Sequence, residues 1–151
     1  MTAKADFNAE EWQTVVEVPM LAGVYTVAAG RGGTIRETIA MGQVYAEVLQ
    51  AQSGGLIDEV AASPPPFDPP RLQQGGSVAE LTRAKLTEAL RILGEKATPE
   101  EVEAYKAFVL SVARAAAEAH KEGGFIGFGG KQVSPEEQAA LDEIEQALAG
   151  A

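Results

Sequence analysis

The 151-residue sequence contains no cysteine and one histidine. The first absence removes disulfides, thiolate catalysis, cysteine-based zinc sites and iron–sulfur clusters. The second leaves no Ser-His-Asp arrangement to argue for. His120 has Glu118 and Glu122 two residues away on other helical faces, and Ala116 and Gly124 four residues away, so no local ligand pair forms. Basic residues are scarce: twelve Lys and Arg face twenty-two Asp and Glu, a net charge of −10. Each half of the chain carries −5, from 4 against 9 charges up to residue 76 and 8 against 13 beyond it. No basic patch is present to neutralise phosphates, which argues against a nucleic-acid partner. Long apolar runs are missing too. The longest uncharged stretch, Val18 to Gly30, has thirteen residues, against about twenty for a bilayer span. The first residues hold acids and a tryptophan where an export signal needs a basic start and an apolar run, so a cytoplasmic protein with no membrane span is expected.

Helix signals fill this frame. Asn8 with Glu11, Thr34 with Glu37, Thr98 with Glu101 and Ser134 with Glu137 each set a capping side chain three residues before a glutamate, so each can satisfy the other's backbone N–H. Pro99 and Pro135 stand at first helical positions, where a missing N–H costs nothing. Apolar spacing of about 3.6 residues supports helices near 8–18, 19–29, 34–52, 77–93, 98–122 and 134–149. In the third of these the stripe reads Ile35, Ile39, Tyr45, Val48 and Leu49. The expected fold is all-α, a bundle of about six helices. The 19–29 segment is apolar all round, the signature of a central helix, and its Ala22, Gly23, Ala28 and Ala29 admit close neighbours. Five of eight prolines fall in 63–76, so this segment reads as an extended connector between halves 8–62 and 77–150 of one domain.

The halves echo each other. Setting residue 8 against residue 98 aligns Trp12 with Val102, Val15 with Tyr105, Val18 with Phe108 and Met20 with Leu110. One hundred residues then separate Glu37, Met41, Val44 and Val48 from Glu137, Leu141, Ile144 and Leu148. Such spacing suggests a duplicated helical unit packed about a pseudo-two-fold axis.

An Ala-rich apolar helix, a glycine turn and then Val133-Ser134-Pro135-Glu136-Glu137-Gln138 opening an acidic helix resembles half of a TerB-like unit, the tellurite-resistance type of small all-α bacterial protein. The resemblance implies a fold with two such units and a stress-related role. The family's loops read Asp-Gly, with acids implicated in metal binding. Here the corresponding stretches are Ala29-Gly30-Arg31-Gly32-Gly33 and Phe128-Gly129-Gly130-Lys131, without an aspartate, so no metal ligand carries over.

Two glycine-rich loops are the candidate sites for an anion or small ligand. In one, Gly124, Gly127, Gly129 and Lys131 lie ahead of a helix start; in the other, Gly30, Arg31 and Gly33 lead into Thr34. The first is not a P-loop, since Lys131 is followed by Gln132, nor a dinucleotide fingerprint, since a helix and not a strand precedes it. Phe125, Ile126 and Phe128 are too large to hide in such a turn and are expected at a subunit contact. The acids of the last helix, Glu136, Glu137, Asp142, Glu143 and Glu145, read as a solvated face. No catalytic group, metal site or cofactor stands out. The expectation is a non-catalytic helical protein that works by self-association, first of all as a dimer, or by binding a protein partner. A small-ligand or anion-binding protein is the alternative, and a TerB-like stress protein a further one.

Overall fold

A computed structural model describes residues 2–29, 35–65, 78–122 and 135–150. A 3-10 turn at Lys4–Asp6 leads into α1 (Ala9–Ala29), α2 (Ile35–Ala51), α3 (Leu56–Ala61), α4 (Val78–Lys96), α5 (Pro99–Glu122) and α6 (Pro135–Ala149). No strand occurs among the described residues, so the fold is all-α.

Among the described residues six α-helices are observed where about six were expected, but two differences cancel in that number. The break expected at Pro19 does not occur, and α1 runs through it. Proline has no N–H for the carbonyl four residues back, and its ring crowds that carbonyl. The carbonyl in question is Val15, and the hydroxyl of Tyr105 donates to it at 2.7 Å. Val15 and Tyr105 are both 0 % exposed, so α5 supplies inside the core the donor that α1 lacks. The helix gained is α3, whose six residues are too few to show a period. Its first turn is tied by Asp58, which accepts from the Gly54 N–H at 2.7 Å and the Ser53 hydroxyl at 3.1 Å.

The capping boxes that can be observed are formed. Asn8 and Glu11 exchange two 2.9 Å bonds, and Thr98 and Glu101 exchange bonds of 3.0 and 3.2 Å. Thr34 and Ser134 lie outside the described residues. Both glutamates of the observed boxes do a second job. Glu11 also takes Lys96 Nζ at 2.6 Å, which holds its carboxyl below the usual range, and Glu101 accepts the Thr2 N–H at 2.8 Å. The N-termini of α1 and α5 are therefore pinned at one end of the molecule, beside the last turn of α4. From there α1 and α5 run side by side in the same direction, with Tyr105 against Val15 and Val112 beside Gly23. α4 descends antiparallel to α1, from Arg83 near the Tyr25 end to Lys96 at Glu11.

Around this central pair, α2 packs on α5 and α6 packs on α1. The burial pattern repeats at the offset of ninety residues: Val15 and Tyr105, Val18 and Phe108, Ala22 and Val112, and Thr26 and Ala116 are all buried. Glu37 and Glu137, one hundred residues apart, are both buried in the first turns of α2 and α6. Glu137 therefore does not belong to a solvated face, because a carboxylate at the third helical position faces the positive end of its own helix. Val15 and Tyr105, which share the offset of ninety residues, touch through the bond between the Tyr105 hydroxyl and the Val15 carbonyl.

Helix faces differ from the sequence expectation in two places. The inward face of α2 is Met41 and Tyr45, while Ile39 and Leu49 are 55 % and 41 % exposed. Ala28 is exposed, whereas Ala22 and Gly23 are buried where neighbours come close. A Cβ at Gly23 would collide with Met41 Sδ and lie 3.3 Å from Val112 Cγ1, whereas one at Gly42 would meet nothing. Alanine should therefore have opposite effects at the two positions. Gly23→Ala should lower stability by about 1–3 kcal/mol through overpacking, and Gly42→Ala should raise it by about 0.5–1 kcal/mol through lost chain entropy. Urea midpoints of the two variants check both signs.

Candidate functional site

The loop residues Gly30, Arg31, Gly33, Thr34, Gly124, Gly127, Gly129 and Lys131, and the apolar trio Phe125, Ile126 and Phe128, lie outside the described residues. The described helices bring together a different feature. A groove of about 670 Å³ runs between α2 and α5, closed at one end by Ser53 and by Ile57 of α3. Small side chains on one stripe of α5, Ala104, Ala107, Ser111 and Ala115, form one wall. Val44, Val48 and Ala51 of α2 form the other, and Phe108 makes the floor. The Phe108 ring is held edge-on by Tyr45, with centroids 5.0 Å apart at 81°. Burial pushes the Tyr45 hydroxyl far up, and it has no partner among the described residues.

Glu47, Arg114 and Glu118 stand in the groove lining. Of the other cations whose side chains are described, Arg83, Lys85, Arg91, Lys96 and Lys106 are ion-paired, and Lys4 lies over the Trp12 ring at 5.9 Å; Arg114 pairs with no described residue. On the far flank of α2, Ile39 and Leu49 are the large apolar side chains left exposed.

The offset of ninety residues exposes an inequality between the two central helices. Along α1, Thr14 and Leu21 are buried and Glu17 half-buried, and Lys85 of α4 pairs with Glu17 at 3.3 Å. Their equivalents along α5, Ala104, Ser111 and Ala107, are all exposed. In the same way Ile144 and Leu148 of α6 are buried, while Val44 and Val48 of α2 are half-buried. α4 packs on α1 and α6. The groove lies between α5 and α2.

The polar cluster that fixes α4 in place links three helices. The Tyr25 hydroxyl of α1 donates to one carboxylate oxygen of Glu143 on α6, and Arg83 Nε of α4 donates to the other. Glu143 is thus engaged and not part of a solvated face. The Tyr25 bond, reinforced by Arg83, holds the Glu143 carboxyl below the usual range, while desolvation followed by Glu143 raises the Tyr25 phenol.

No group of three or more His, Asp or Glu side chains able to hold a metal occurs among the described residues, and no described helix is long and apolar enough to cross a membrane. No family model, curated protein or solved structure matches the chain.

A carboxyl whose pKa is lower folded than unfolded contributes stability that is complete above the unfolded value and lost as the pH falls through the folded one. Removing the charge at Glu143 should therefore remove part of the acid-side loss. In urea titrations between about pH 5 and pH 3, spanning the free carboxylate range, Glu143→Gln should lose less stability than the wild type.

Proposed function

We propose that the protein is a binding module that takes a segment of another protein into the groove between α2 and α5. The observation that supports this reading is an apolar channel bordered by small exposed side chains, with a cation that no described residue neutralises. A groove of this kind gains affinity from apolar burial and orientation from the few polar groups at its edge. Arg114 can pair with a carboxylate of the bound segment, and Glu47 and Glu118 with cations on it. The anion-binding alternative rests on the glycine-rich loops and draws no support from the described residues.

Selection of displayed peptides long enough to span the groove, carried out on the whole protein, tests the reading. Ala107 is exposed, so Ala107→Glu should leave folding intact while setting a charge in the channel. The selected binders should lose about tenfold or more in affinity for this variant, a change of roughly 1.4 kcal/mol. Binders indifferent to it, or none at all, would contradict the proposal.

A further inference from the structure

Resting on that reading, we infer that the groove is the unfilled twin of the α4 berth, and that its occupant is an amphipathic α-helix of a partner protein lying antiparallel to α5. Setting α1 on α5 at the offset of ninety residues and α6 on α2 at one hundred matches the surface under α4 with the groove, and Ala104, Ala107, Ser111, Val44 and Val48 are each less buried than Thr14, Glu17, Leu21, Ile144 and Leu148. The surface bordered by α1 and α6 holds the long helix α4, whereas on α5 and α2 the described residues place only the six-residue α3, at one end. The groove stripe from Ala104 to Glu118 is about 21 Å long at 1.5 Å per residue, the length of four helical turns.

Differences between the twins specify the occupant. Where α1 offers Leu21 and Tyr25, α5 offers Ser111 and Ala115, so the occupant must bring larger side chains than α4 does. The small or polar positions on the buried face of α4 are Thr82 and Ala89. Charge changes as well. In the α4 berth Arg83 meets Glu143 of α6, whereas the groove is lined by Arg114, which pairs with no described residue. An occupant therefore carries an acid where α4 carries Arg83. The orientation follows from α4 too: its last turn lies at the N-terminal end of α1, so the occupant's C-terminal end lies towards Ala104.

The probe is a synthetic peptide of residues 78–96 carrying Thr82→Leu, Arg83→Glu and Ala89→Leu, titrated into the whole protein. The inference predicts binding with a gain of helical circular dichroism, and about tenfold or greater weakening by Ala107→Glu. A spin label on the C-terminal end of the peptide should broaden the Ala104 methyl signal more than that of Ala115. Arg114→Glu should weaken this peptide, and restoring arginine at peptide position 83 should recover the loss. Displacement of the protein's own α4 would be insensitive to Ala107→Glu and would overturn the inference, as would the reverse label pattern. If this peptide fails while selected non-helical binders still depend on Ala107, the helical occupant is wrong and the groove reading stands. If neither class binds, both fall.

Discussion

One hydrogen bond sets the relation between the two central helices. Pro19 would ordinarily end or kink α1, because it leaves the Val15 carbonyl without its helical donor in a region from which water is excluded. A buried carbonyl without a partner costs about 1–3 kcal/mol. Tyr105 removes that penalty from outside the helix, and its hydroxyl can do so only if α5 lies beside α1 in one register. A requirement local to α1 thereby becomes a constraint on tertiary structure. Gly23, where α2 and α5 come close, and the paired capping boxes at the other end hold the same alignment along the length of the pair.

The remaining helices follow from this pair. Because Val15 and Tyr105 are equivalent positions, a parallel α1 and α5 offer similar surfaces in opposite directions, and α6 and α2 take corresponding places on them. α4 packs on α1 and α6, whereas the short α3 closes only one end of the space on α5 and α2. The α4 side is knit by Tyr25, Glu143 and Arg83, while Arg114 in the groove pairs with no described residue.

What could be read in the sequence was what depends on near neighbours. The boxes at Asn8 and Thr98 are contacts between residues three apart. Readings that depend on distant residues failed. Nothing near Pro19 indicates that a tyrosine ninety positions beyond Val15 will rescue its carbonyl. A stripe of suitable period in α2 could not say whether Ile39 or Met41 faces inward, since that is decided by which helix lies alongside. The groove was invisible for the same reason: Ala104, Ala107 and Ala115 are ordinary helix-forming residues until the packing of α2 and α3 beside α5 makes a channel of them. The glycine-rich loops drew attention by composition, yet the feature that the described helices build lies elsewhere.

A double-mutant cycle on Pro19 and Tyr105 tests the foundation most directly. Tyr105→Phe alone should lower the free energy of unfolding by about 1–3 kcal/mol, because it strands a buried carbonyl. In a Pro19→Ala background the new N–H at position 19 can serve the Val15 carbonyl, so the same substitution should cost clearly less, with a coupling of roughly 0.5–3 kcal/mol. An equal cost in both backgrounds would mean that the tyrosine does not stand in for the proline's missing donor, and would contradict this account of how α1 and α5 are held in register.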